Sequence, residues 1–396
     1  MLCAPSSSYR LMRAQLSVPS SRRPAGCLVR HALALIALFA VSAQAQDAIP
    51  VGRTLALSGP LTPYGVAKKA GGEAYIERVN REGGIRGRKI RLITEDDRYD
   101  PAETVKAIRK LDKLNVVAML GIFGVPPVAA ALPLVEELKL PAVGLTSGAA
   151  VVRTPVKRYA FPVRASYADE AATMARHFTS VGLTRVAVVR QQNPFGNSVA
   201  DTMIEALAKA GLKPVADIPY KNDGSDVKDV IVKLAKLEQV NVVFFAMQSV
   251  VAVPLLSQMR DGDVQTGADV FAISAVDTTV LANALKDKAR GVAIAQIVPL
   301  TQQTLPVVRD YLRDLKSIDG ATPSFYGLEA YVEARVMVEA MRRVSGPLTR
   351  ESLVTALESL GSYDVGGMTV TYGPGRREGS HFVDLTMVSR GGALVR

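Results

Sequence analysis

The residues best placed to hold a small anion are Thr146, Ser147 and Gly148. They follow the apolar run Ala142 to Leu145 and precede an expected helix. Hydroxyls and free N–H groups at a helix start favour an anion, and the helix dipole adds to the effect. A plain N-cap uses the same residues, and the two roles are compatible. Asp96 and Asp97 can be read as paired carboxylates or as a metal site. No other cluster of acids or histidines accompanies them, so a strand-end loop that caps the next helix is the expected role. His177, beside Arg176 in a helical stretch, reads as a surface residue, and His381 begins a hairpin strand. The chain has no G-x-S-x-G elbow, no G-x-x-x-x-G-K loop and no G-x-G-x-x-G after a strand. No catalytic residue, metal or cofactor is expected.

The stretch from Thr54 to Asp97 must position much of this chemistry. Leu55, Ala56 and Leu57 read as a buried strand, broken by Ser58, Gly59 and Pro60. From Tyr64 to Val79, Val66, Ala67, Ala70, Ala74, Ile76 and Val79 recur at helical spacing. Gly83 and Gly84 stop that helix, and Arg88 to Thr94 alternates as a strand. The result is one βαβ unit. Its first loop, Ser58 to Gly65, lies at the carboxyl edge of a parallel sheet, where open α/β folds bind ligands.

The rest of the chain repeats the alternation. Strands are expected at Val116–Leu120 and Ala142–Leu145, with a helix over about 128–138 between them. Asp100 and Pro101 start the helix before them, as a cap and a first-turn proline. The pattern then restarts: strands at Arg185–Val189, Val215–Tyr220, Asn241–Ala246, Val270–Ser274 and Val292–Ile297, separated by helices. A long helix over Tyr326–Val344, another over Thr349–Leu360 and a terminal hairpin follow. That hairpin is expected to pair Met368–Tyr372 with Phe382–Val388 across Gly373-Pro374-Gly375. Two successive runs of β and α predict two doubly wound parallel sheets.

The composition suits that architecture. A chain of 396 residues, 48% hydrophobic, can fill two cores. Residues 1–45 differ from the rest, with Arg10, Arg13, Arg22, Arg23 and Arg30, no lysine and no acid. The apolar run Ala32–Val41 and Ala43-Gln44-Ala45 complete the pattern of a cleaved secretory signal. The run is shorter than the roughly 20 residues that span a bilayer. Met12 is an alternative start. The whole chain carries +11, and losing five leader arginines leaves +6. The basic residues are scattered, without aromatic interleaving, so nucleic acid is not an expected partner. Cys3 and Cys27 both fall in the leader, which leaves no disulfide or thiolate site in the rest.

The SGP turn, the Tyr-Gly pair, the run VNREGGIRGRKI and the DD that follows resemble the periplasmic solute-binding proteins of the leucine/isoleucine/valine-binding type. The resemblance extends through most of the chain after Pro50. It implies a type I periplasmic binding protein, an α/β fold of two doubly wound parallel-sheet lobes joined by a three-strand hinge. It also implies the division: 46–165 and 295–361 in lobe 1, 166–294 and 362–396 in lobe 2.

The resemblance assigns roles to single residues. An aromatic at Tyr64 covers the ligand in this family. Val125 stands where the family has a serine or threonine on the ligand carboxylate, so either backbone N–H groups serve there or the carboxylate binds elsewhere. The Thr146-Ser147-Gly148 loop matches the family's carboxylate contact. Phe195 matches a stacking aromatic and Gln248 a wall residue. Ser274 stands where the family has the glutamate that pairs with the ligand ammonium, and Asp277 is the nearest substitute in that loop. A buried ammonium needs a compensating charge. A carboxylate ligand that is not a zwitterionic α-amino acid is therefore expected.

The implied function is ligand capture for an ABC importer. The protein is expected in the periplasm, as a monomer, taking a small organic acid or amino acid to an inner-membrane permease. A sensory or regulatory receptor of the same fold is the alternative. Neighbouring permease and ATPase genes favour transport, and sensor kinase genes favour signalling.

Overall fold

A computed structural model describes residues 48–261 and 267–395. The expected leader, with Cys3 and Cys27, lies outside the described residues. In chain order the first elements are β1 (Ile49–Leu55), α1 (Thr62–Arg81), β2 (Ile90–Asp96), α2 (Pro101–Lys113), β3 (Ala118–Phe123), α3 (Val125–Glu137), β4 (Ala142–Thr146) and β5 (Ala160–Phe161). These strands form one parallel sheet in the order β2-β1-β3-β4-β5. Local chemistry sets the boundaries. Asp100 accepts from the Ala102 and Glu103 amides and caps α2, as expected from Asp100-Pro101.

Next come α4 (Tyr167–Ser180), β6 (Val186–Gln191), α5 (Pro194–Lys209), β7 (Ala216–Tyr220), α6 (Val227–Ala235), β8 (Val242–Ala246), α7 (Ser249–Asp261), β9 (Asp269–Ala272), α8 (Thr278–Leu285) and β10 (Ala293–Gln296). Then α9 (Pro306–Leu315), α10 (Phe325–Arg343), α11 (Arg350–Glu358), β11 (Ser362–Asp364), β12 (Thr369–Gly373), β13 (Arg376–Gly379), β14 (Asp384–Val388) and β15 (Leu394–Val395) complete the chain. The second sheet runs β15-β14-β10-β9-β8-β6-β7, with β14 antiparallel to β10. Among the described residues no helix is long and apolar enough to cross a membrane.

The return of α10 to the first sheet is driven by burial. Leu328, Tyr331, Val332, Val336 and Met337 join the core that holds Ile49, Val51 and Val143. α10 lies directly on α1: a Cβ added to Gly71 would sit 1.9 Å from the Gly327 carbonyl oxygen. Only a residue without Cβ permits that approach.

Two expectations are corrected here. β12 pairs with β13, not with Phe382–Val388, and β14 joins the second sheet instead, between β10 and β15. Leu385 also packs on second-sheet core residues, so β14 is the better buried there. The antiparallel sheet β11-β12-β13 packs on the first core through Met368, Val370 and Tyr372. The segment 362–396 therefore divides near residue 380 and does not pass whole to the second lobe.

The chain crosses between the two sheets at 162–166, 297–305 and 380–383. The first and third crossings are bonded together. Ser380 N–H donates to Val163 O at 2.8 Å, and the Tyr372 hydroxyl donates to Pro162 O at 2.7 Å. Arg153 donates to the carbonyls of Arg164, Glu378 and Ser147. Burial, and next the neighbouring Arg164 charge, pull the Arg153 guanidinium down to about 10.

Candidate ligand-binding site

In each sheet the strand order reverses between two neighbours, β1 and β3 in the first, β6 and β8 in the second. Ligands of doubly wound folds bind at such switch points, beyond the carboxyl ends of the strands. The loops and first helical turns after these four strands carry Tyr64, Gly124, Phe195 and Gln248. Between them lies a narrow chamber lined by Tyr99, Phe123, Gly124, Thr146, Arg164, Tyr167, Phe195, Gln248, Ala275 and Tyr326. A second narrow chamber adjoins it, lined by Arg164, Ser274, Gln296, Ile297, Val298, Phe325, Tyr326 and Glu329. Arg164 and Tyr326 belong to both.

The structure gathers Thr146, Phe195 and Gln248 in the first chamber and places Ser274 in the second. Phe195 meets Tyr167 edge-on at 6.0 Å. Gln248 donates its N–H to Gln191 Oε1. The Thr146 hydroxyl is turned away, donating to Glu333 Oε1 at 3.3 Å.

The other expected residues stand behind the wall. Tyr64 backs it, 6.1 Å from Phe123 and 4.9 Å from Tyr326. Its hydroxyl lies close to Ser249 without meeting hydrogen-bond geometry, and burial pushes it well above the usual phenol range. Val125 packs in a core with Tyr167 and Phe195. Ser147 Oγ accepts from the Ala149 amide, a local cap, and Gly148 O accepts from Tyr167 N–H. Only a three-residue 3₁₀ turn, Ala150–Val152, follows this loop, so no long helix aims its dipole at an anion there. That expectation is corrected. Asp277 caps α8 through the Thr279 and Val280 amides, and burial raises its carboxyl.

Several lining residues escaped sequence reasoning: Tyr99, Phe123, Arg164, Tyr167, Tyr326 and Glu329. Tyr99 lies flat on Gly124, where a Cβ would fall 2.0 Å from its ring, and the positive φ of Gly124 suits glycine alone. Arg164 offered a signal, as a lone arginine in the apolar crossing Phe161 to Ala165.

The charges are buried and mostly paired. Arg164 Nη2 lies 2.7 Å from Glu170 Oε1 and 2.7 Å from Ser274 Oγ. Burial disfavours the guanidinium charge, but Glu170 and then Glu329 more than compensate and raise its pKa. Burial pushes the Glu170 carboxyl up, and Arg164 and both donors of Ser274 oppose that shift only in part. Lys68 Nζ lies 3.3 Å from Glu329 Oε2 and 3.0 Å from Glu333 Oε1. Burial drives the Glu333 carboxyl above the usual range, against the pull of Lys68. Ser274 thus does not leave the site without acids. Glu170 stands against it, and Glu329 lines the chamber beyond.

The family described as periplasmic binding protein matches residues 48–393. The chain belongs to the periplasmic binding protein family. It is 28% identical over 330 residues to Leu/Ile/Val-binding protein homolog 7 of Brucella melitensis, covering 80% of this chain and 82% of that one. The fold superposes with a TM-score of 0.82 on a possible leucine/isoleucine/valine-binding protein from Rhodopirellula baltica, at 27% identity, covering 89% of this chain and 97% of that one. It superposes with a TM-score of 0.81 on a substrate-binding periplasmic protein from Ralstonia solanacearum, at 30% identity, covering 88% and 99%. This periplasmic binding protein has the type I fold, with two parallel-sheet lobes around its chambers.

Proposed function

We propose that this protein is the substrate-binding component of an ABC importer. It captures a small carboxylate between two lobes in the periplasm and hands it to a membrane permease. One observation carries the reading: a chamber between the carboxyl ends of two sheets combines aromatic rings with a buried arginine. Rings from Tyr99, Phe123, Tyr167, Phe195 and Tyr326 offer flat apolar faces to a ligand body. Arg164 offers a fixed charge, and its Nη1, which makes none of the bonds to Glu170, Ser274 and Ala165, is the donor left for a carboxylate. The short bonded crossings suit two lobes that open to admit such a ligand.

Titration calorimetry of the protein with aliphatic, aromatic and amino-substituted acids tests the reading. Binding of at least one carboxylate, with a smaller radius of gyration on saturation, is the expected outcome. No binding across the whole panel and an unchanged radius would refute it.

A further inference from the structure

Two side chains of the second chamber keep hydrogen-bonding capacity for a ligand, a donor on one and a buried, unpaired acceptor on the other. The first belongs to Arg164. Its Nη2 bonds Glu170 and Ser274 and its Nε bonds Ala165 O, while Nη1 makes none of these bonds. The second belongs to Glu329. Its Oε2 pairs with Lys68, but its Oε1 is buried and accepts no hydrogen bond. An acceptor left unpaired in the interior is costly, and native structures tolerate few of them. Both residues are almost wholly buried and both line the same chamber.

A plain carboxylate answers Arg164 and leaves Glu329 unpaired. An amine without a carboxylate does the reverse. We infer that Arg164 and Glu329 together read a carboxylate that carries a hydrogen-bond donor, hydroxyl or ammonium, on the adjacent carbon. The carboxylate accepts from Arg164, and the donor gives its hydrogen to Glu329 Oε1. Because Tyr326 and Arg164 open into the aromatic chamber, the apolar body of the same molecule lies there. The polar head then sits beside α10 and the first crossing, not on the Thr146-Ser147-Gly148 loop. This inference rests on the proposal that the protein binds a small carboxylate.

The test uses two series of probes in calorimetric titration. One is leucine, 2-hydroxy-4-methylpentanoate, 4-methylpentanoate and 4-methyl-2-oxopentanoate. The other is phenylalanine, 3-phenyllactate, 3-phenylpropanoate and phenylpyruvate. In at least one series the amino or hydroxy acid should bind about tenfold or more tighter than the plain and oxo acids, since a site built for a donor rejects its absence. The amino and hydroxy arms decide which donor is preferred. Glu329→Gln keeps the side-chain shape but adds an N–H₂ donor. It should reduce the preference to about threefold or less and favour the oxo acid. Arg164→Lys should weaken every carboxylate, because lysine has no counterpart to the Nη1 donor once its single ammonium pairs with Glu170. Thermal unfolding of both variants reports that they fold. Plain acids binding as tightly as donor-bearing ones, or an unchanged order in Glu329→Gln, would overturn the inference alone. Failure of every carboxylate, these and others, would overturn the functional reading with it.

Discussion

Arg164 and Glu170 form an ion pair of 2.7 Å in which neither side chain reaches solvent, and Ser274 bonds to both. Arg164 lies on the first crossing and Glu170 in the first turns of α4. The pair therefore fixes how the chain leaves one lobe and enters the other. Removing one partner leaves the other charge buried without compensation. Glu170→Ala should cost about 3–5 kcal/mol of stability, whereas Arg164→Met with Glu170→Leu should cost less than Glu170→Ala alone. Urea denaturation checks both, and a single-variant loss below about 1 kcal/mol would mean that water reaches the pair.

Gly71 and Gly327 place α1 and α10 in backbone contact. Gly71→Ala forces the helices apart and should destabilise by about 1–3 kcal/mol, the usual range for overpacking. A fall in the thermal midpoint is the readout. No change would mean that α10 slides freely on α1.

Ser147 and Phe195 should separate cleanly in binding. Ser147 Oγ serves a local amide, so Ser147→Ala should leave affinity within about twofold while costing about 0.5–1.5 kcal/mol of stability, the net value of one hydrogen bond. Phe195 lines the aromatic chamber, so Phe195→Leu should weaken a bound ligand by about 0.5–1.5 kcal/mol, the excess value of an aromatic contact. Calorimetry against whichever carboxylate binds wild type decides. Equal losses in both variants would place the Thr146-Ser147-Gly148 loop back in contact with the ligand.

His381, at the third crossing, lies 2.9 Å from Asp169 on α4 and 3.3 Å from Glu378 on β13. The Asp169 hydrogen bond, and then Glu378, raise its pKa above the ordinary 6.5. A raised cationic group stabilises fully below its unfolded value, and the gain is lost as pH rises through the folded value. The ring is largely exposed, so the effect is that of a surface pair, about 0.2–1 kcal/mol. The thermal midpoint of His381→Asn should fall below wild type by more at about pH 6 than at about pH 8.5. A gap that is constant with pH would show that the imidazole acts without its charge.

Local signals were legible in the sequence because they depend on near neighbours. Asp100 accepts amides two and three residues ahead, so its cap at α2 could be read directly. The alternation of apolar strands and amphipathic helices specified two parallel sheets, and the resemblance to the leucine/isoleucine/valine-binding type, not the loops themselves, pointed to Phe195 and Gln248. Long-range pairing was not legible. β12 and β14 have similar alternating patterns, and which neighbour each accepts depends on which sheet edge lies exposed nearby.

The site divides in the same way. Residue types and loop positions determined that small polar and aromatic groups would gather at the sheet edges. The tertiary structure alone decided that Thr146 turns to Glu333 and that Ser147 closes its own turn. It alone brought Arg164 and Glu329 to one chamber, across 165 residues of chain. Single-residue chemistry cannot announce that meeting. A buried charge is tolerated only where distant elements supply its partners, and those partners exist only once α10 has folded back onto the first sheet.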